Sequence, residues 1–225
     1  ALVDAVRDAA AQKGTGMWTA QAALDLGIAA PTLAQAVFAR LQSSDITGRS
    51  AARAVFRNDT PAFDGDVHAL IEDVHQALYA SKICAYAQGF ALLSRAAQTY
   101  GWPRELWRMA LVWRGGCIIR AAFLEKIAQA WQRNPMLENL MFDPYFAAQM
   151  QLCRTAHARV CAQAAKFGVP AACLSSALSY ADGYRHAHLG ANLIQAQRDC
   201  FGAHTYERVD CDGIFHTQWL EDASC

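Results

Sequence analysis

Apolar residues recur at spacings of three and four along almost the whole chain, and strict alternation is nearly absent, so the pattern predicts helix after helix. The predicted helices cover 1–13, 17–26, 31–43, 66–100, 103–113, 117–133, 143–167, 170–184 and 187–201. Pro31, Pro103, Pro144 and Pro170 each stand at the front of such a segment, where a residue without an amide proton costs a helix least. The segment Asp66 to Tyr100 is the longest. Its stripe of Leu70, Val74, Leu78, Ile83, Tyr86, Phe90 and Leu93 has apolar neighbours on both flanks, which predicts a central helix covered on several sides. Connections are short and carry breakers, at Gly14 to Gly16, Gly27 to Ala30, Ser43 to Arg49, Asp59 to Gly65, Gly115-Gly116 and Asn134-Pro135. No linker, repeat or low-complexity tract interrupts them. From Val209 to Cys225 the helical stripe is lost, and Ile214, Phe215 and Trp219 belong to an extended tail that packs on its own body or on a neighbour. The expected fold is therefore all-α, a large multi-helix domain with a long central helix and an extended C-terminal tail.

Composition narrows the class. With 225 residues the chain can bury a sizeable core, and 54% hydrophobic against 18% charged residues points to large buried interfaces rather than a free-standing monomer. Formal net charge is zero and no basic block occurs, which argues against nucleic acid or an acidic membrane surface as partner. The eight cysteines form no CxxC pair and no short Cys/His ligand spacing, so no metal site is expected and a reducing cytoplasm is the simplest location. No apolar run is long enough to span a membrane, and no charged-then-apolar leader precedes the first helix. Leu2, Val6 and Ala9 already share one side, so the expectation is a longer protein cut inside an element.

Three places combine charge with an apolar setting. In ANLIQAQRDCFGAHTYER, Ile194, Arg198 and Phe201 fall at i, i+4 and i+7, leaving Gln195 and Asp199 for the wet side, and His204 follows just past Gly202. An arginine on an apolar stripe must snorkel to water or meet an anion. In Gln12-Lys13-Gly14-Thr15-Gly16, glycines free the backbone amides to face an anion and Lys13 adds charge. The motif lacks P-loop spacing, and physics alone favours a plain C-cap and loop. Arg40 shares a stripe with Leu33 and Val37, and a lone arginine so placed most simply pairs with one of the twenty acids. Two such arginines, a lysine, a threonine hydroxyl and a histidine form a set suited to a dianionic phosphate. Other residues read as structure. His186 and His188 have the wrong spacing for a helical metal pair, His68 and His75 share a face without a third ligand, and Trp113-Arg114-Gly115-Gly116 reads as a turn with a paired arginine.

The stretches LDLGIAAPTLAQAVFARLQSS, ALYASKICAYAQGFALL, LVWRGGCIIRAAFL, RNPMLENLMFDPYF, SYADGYRH and ANLIQAQRDCFGAHTYER closely resemble the C-terminal helical domain of the 6-phosphogluconate dehydrogenases, nearly end to end. The resemblance implies that Lys13, Thr15 and Arg40 hold the substrate phosphate. It also implies that Arg198 and His204 reach into the partner subunit's site, making the homodimer functional. Residues 1–208 then form the dimerisation and phosphate-binding domain, and residues 209–225 a tail lying against the partner. The family's reaction oxidises the 3-hydroxyl of 6-phosphogluconate with NADP, releases carbon dioxide and yields ribulose 5-phosphate. The family's general base and acid, a lysine and a glutamate just upstream, have no counterpart here, and no GxGxxG occurs, so catalytic residues and the NADP-binding Rossmann domain are expected outside this chain.

Three positions depart from the family pattern. Met17 replaces a common lysine after GTG, Cys200 an aromatic before Phe201, and Gly190 a proline before Ala-Asn-Leu. Met17 removes a positive charge near the phosphate loop, and Cys200 is a smaller apolar filler. The alternative reading is a non-catalytic helical dimer that acts as a sugar-phosphate sensor or scaffold.

Overall fold

The computed structural model describes residues 1–56 and 60–219. The chain divides into two compact units, Ala1–Ala181 and Asp182–Cys225.

The first unit is built on α5 (Val67–Tyr100). Asp66 caps its start by accepting the amides of His68 at 2.8 Å and Ala69 at 3.2 Å, and Gly101 ends it in the left-handed conformation, φ 68°. Ile83, Cys84, Ala87 and Phe90 are completely buried along its second half. They pack with residues of α6 (Leu106–Val112), α7 (Leu124–Arg133), the 3-10 turn Leu140–Phe142, α8 (Pro144–Lys166) and α9 (Ala172–Arg185). Phe90 lies against Trp131 with ring centroids 4.5 Å apart. Burial of a side chain of that size contributes about 2 kcal/mol. The helix α8 is pinned alongside α5 by Tyr79 Oη with Tyr145 Oη at 3.2 Å, Ser81 Oγ with His157 Nε2 at 3.1 Å, and Arg159 Nε donating to Asp73 Oδ2 at 2.7 Å.

The expected covering of α5 on several sides holds along its second half and narrows to one face before it, where Ala77 and Ala80 are buried. Val74 and Leu78 are 42 and 53% exposed, so the stripe read from sequence runs out of the core toward the start of the helix.

Before α5 come α1 (Leu2–Ala5), α2 (Thr15–Asp25), α3 (Pro31–Ser44) and α4 (Ile46–Val55). Ala23, Ala30 and Leu92 make a small core between α2, α3 and α5. Gln88, fully enclosed on α5, accepts the amides of Thr32 at 3.0 Å and Leu33 at 3.3 Å and donates to Thr32 Oγ1 at 2.9 Å. Those amides belong to the first turn of α3, which no intrahelical acceptor can serve. The central helix thereby fixes the helix that carries Arg40.

A helix over 1–13 is not formed beyond Leu2–Ala5. Its apolar residues find nothing to bury them, and side chains of α3 and α4 claim its backbone instead. Arg49 Nη1 donates to Asp8 O at 2.8 Å, the Ala10 amide donates to Ser43 Oγ at 2.9 Å, and Arg40 donates to Ala11 O. The segment read as a loop at Ser43 to Arg49 instead ends α3 and starts α4, where Asp45 accepts the Gly48 amide at 2.9 Å as N-cap. All of α4 lies without a buried residue, and its Thr47-Gly48-Arg49 start reads as a breaker in the sequence. The helix expected over 117–133 begins only at Leu124; Tyr86 Oη donates to Ile119 O, and residues before Leu124 form turns. Arg114 pairs with Glu125, in keeping with a structural role for the Trp113 to Gly116 turn.

The second unit holds α10 (Ala191–Gly202) and an antiparallel hairpin of β1 (Tyr206–Glu207) and β2 (Ile214–Phe215), with Tyr206 opposite Phe215 and Glu207 opposite Ile214. Tyr206 Oη and Thr217 Oγ1 meet at 2.6 Å beyond the pair. The tail as far as Trp219 therefore turns back along its own unit. Residues 220–225 of the expected tail lie outside the described residues.

Candidate functional site

The predicted phosphate residues form two groups, one in each unit. In the first, α2 starts at Thr15 with Gly14 as N-cap at φ 99°, and no side chain caps the first turn. A Cβ at Gly14 would meet the Trp18 ring at 3.1 Å in a conformation that L residues rarely adopt. The α2 amides thus face outward at the positive end of a helix dipole, flanked by the exposed Lys13 and Thr15. Gly16 brings α2 against α3, since a Cβ there would stand 3.2 Å from Val37 Cγ2. One turn beyond Val37, Arg40 reaches the Ala11 carbonyl, two residues before Lys13. Lys13, Thr15 and Arg40 therefore share one neighbourhood. Among the described residues neither Lys13 nor Arg40 forms an ion pair, so the acid partner that a lone Arg40 would be expected to take is not supplied.

In the second unit the stripe on α10 faces the other way from the sequence reading. Ile194 is 59% and Phe201 85% exposed, Arg198 lies with them, and Asp199 has no exposed surface. Hydrogen bonding explains the reversal. Asp199 Oδ1 accepts the Thr205 amide and His216 Nδ1, each at 2.9 Å, and Oδ2 accepts the Thr217 amide at 3.0 Å and Trp219 Nε1 at 2.8 Å. Burial by itself pushes the carboxyl upward, yet the donors Thr217, His216, Trp219 and Thr205 together hold it well below the usual carboxylate range. Gln195, also read as facing water, donates to Thr205 O at 2.6 Å and accepts Arg198 Nη1 at 3.1 Å. Arg198 makes no ion pair among the described residues. His204 is exposed, and its ring lies over Gly202, where a Cβ would come within 3.0 Å of Cδ2 and Nε2. Cys200 is exposed and fills no core space within the unit.

Asp199 and Gln195 are the residues that periodicity misplaced. One signal was present in the sequence: an acid near the C-terminal end of a helix opposes the dipole, so it needs donors from elsewhere. Among the described residues no group of three His, Cys, Asp or Glu side chains could hold a metal, and no helix is long and apolar enough to cross a membrane.

Comparison with known proteins agrees with the residues that carry the resemblance. The profile of the 6-phosphogluconate dehydrogenase C-terminal domain matches residues 1–219. The chain is 49% identical over 222 residues to the decarboxylating 6-phosphogluconate dehydrogenase of Staphylococcus aureus strain N315, covering 99% of this chain and 47% of that protein. It is 49% identical over 221 residues to the NADP(+)-dependent decarboxylating enzyme of Bacillus subtilis, covering 98% and 47%. Plasmodium falciparum 6-phosphogluconate dehydrogenase, solved in its apo form, with its cofactor NADP+ and with its substrate 6-phosphogluconate, superposes with a TM-score of 0.92 at 38% identity, over 97% of this chain and 47% of that one. The chain spans about half the length of these relatives, and it belongs to the 6-phosphogluconate dehydrogenase family, as a C-terminal domain of that family.

Proposed function

We propose that this chain is the substrate-phosphate-binding and dimer-forming part of a decarboxylating 6-phosphogluconate dehydrogenase, which oxidises 6-phosphogluconate to ribulose 5-phosphate and carbon dioxide while reducing NADP. The observation that carries the reading is the first-unit cluster: an uncapped, glycine-started helix flanked by Lys13 and Thr15, with Arg40 one helix away. Guanidinium and ammonium supply charge, while the α2 amides and the Thr15 hydroxyl supply directed donors, which together suit a phosphate dianion. Arg198 and His204 complete the phosphate shell of the partner's site in a homodimer. Exposed Leu193, Ile194 and Phe201 around Arg198 supply apolar surface for that dimer.

NADP supplies the hydride acceptor when bound. The described strands are one short antiparallel pair, which offers no parallel-sheet crevice for a dinucleotide, so its binding is assigned to the part of the relatives that this chain does not span. The proton-transferring lysine and glutamate are assigned there too. The chain's own contribution is binding energy and orientation of the substrate, in a cytoplasmic enzyme. The isolated chain, mixed with 6-phosphogluconate and NADP, is expected to form no NADPH while still binding 6-phosphogluconate by calorimetry. Turnover by the chain alone would overturn the division of labour, and loss of binding selectivity for the phosphorylated over the unphosphorylated sugar acid would overturn the phosphate site.

A further inference from the structure

His204 sits in a turn that the backbone does not favour. Ala203 and Thr205, on either side of it, have φ of 51° and 60°, values that residues with a Cβ adopt at a cost. Something outside the turn must hold it. The Thr205 amide is bound by the enclosed carboxylate of Asp199, and the Thr205 carbonyl by Gln195, whose own amide oxygen holds Arg198. The same carboxylate takes His216, Thr217 and Trp219 from the far side of the hairpin. Arg198 and His204 are thus referenced to one another through two neighbouring side chains on α10. An acid at this end of a helix does not serve the helix itself.

We infer that Asp199 is a positioning residue for phosphate capture: its buried carboxylate locks the strained turn so that His204 is presented beside Arg198. The inference rests on the reading of Arg198 and His204 as phosphate ligands. An amide cannot replace this carboxylate, because its NH2 group would face the Thr205 N–H on one side or the Thr217 and Trp219 N–H groups on the other.

The test protein is a dehydrogenase made by joining this chain to the amino-terminal half of the Bacillus subtilis relative. Asp199→Asn is expected to raise KM for 6-phosphogluconate by about tenfold or more, with kcat held within about twofold. Adding Ala203→Gly, which tolerates positive φ without a Cβ penalty, is expected to restore at least about threefold of that loss. Should Asp199→Asn fail to fold, His216→Leu removes one donor at a half-exposed position; it is expected to raise KM about threefold, and His216→Asn, whose amide donates from near Nδ1, to return it. If Arg198→Ala and His204→Ala leave KM unchanged, the phosphate reading itself falls. If those two raise KM while the Asp199 and His216 variants lower only the melting temperature, Asp199 is structural and the positioning role is overturned.

Discussion

Gln88 and Thr32 bind each other twice, Thr32 N to Gln88 Oε1 at 3.0 Å and Gln88 Nε2 to Thr32 Oγ1 at 2.9 Å, in a place closed to water. The pair holds the start of α3 against α5 and therefore sets where Arg40 stands. Gln88→Leu strands the Thr32 and Leu33 amides, while Ser176 Oγ still reaches Thr32 Oγ1 at 3.3 Å, and it is expected to destabilise the fold by about 2 to 4 kcal/mol. Urea unfolding monitored by circular dichroism measures it; a loss under about 0.5 kcal/mol would mean that α3 is held by its apolar contacts alone.

Gly14→Ala forces a Cβ into the left-handed region and against Trp18. A cost of about 1 to 2 kcal/mol is expected, together with weaker binding of 6-phosphogluconate, because the α2 amides shift with the loop. Thermal melts with and without ligand separate the two effects.

Met17→Lys restores a cation in the first turn of α2. A lysine there opposes the helix dipole by a few tenths of a kcal/mol, yet a partly screened charge beside a phosphate gains about 0.5 to 1 kcal/mol. The dipole cost is present with and without ligand, so the expectation is about two- to fivefold tighter binding of 6-phosphogluconate, and no change in affinity for unphosphorylated gluconate. Calorimetry with both ligands decides it, and equal gains for the two would remove Met17 from the phosphate's surroundings.

Acid should loosen the second unit. The folded carboxyl of Asp199 is held below its unfolded value, so its stabilisation is fully present above the unfolded value near 3.9 and is lost as pH falls toward the folded one. The indole proton of Trp219 and the amides of Thr205 and Thr217, followed by NMR from pH 6 downward, should hold their shifts until about pH 4 and then lose protection together. Loss of protection at higher pH would point to another group. Asp210, held down to about 2 chiefly by its hydrogen bond with Arg208, lies at the surface and contributes little to the same transition.

Most of the fold was legible in the chain because long helices with apolar faces announce themselves. The span 66–100 was read almost to its ends, as were those of α3 and α8, whereas α10 starts at Ala191 and not at residue 187. Failures fell where side chains from elsewhere took over the backbone. Residues 8–11 carry a helical pattern, but Arg49, Ser43 and Arg40 bind their peptide groups. The α4 helix is amphipathic and capped by Asp45, but its glycine-bearing first turn reads as a loop and it buries no residue. At the proposed site, Lys13, Thr15 and Arg40 stand out in the sequence through glycine placement and a charge on an apolar face, but those residues alone favour a plain C-cap and a salt bridge, and only the family resemblance groups them as a phosphate set. Asp199 was not, because periodicity assigns polar residues to water unless the distant donors, here from residues 205 to 219, are also known.

Thr205 has both its peptide N–H and its C=O committed, to Asp199 and Gln195 respectively. The freedom of the turn around His204 is therefore surrendered when the chain folds and not when a ligand arrives. Association then carries little ordering entropy at this position, and a phosphate that meets Arg198 and His204 does so on a surface already shaped before contact.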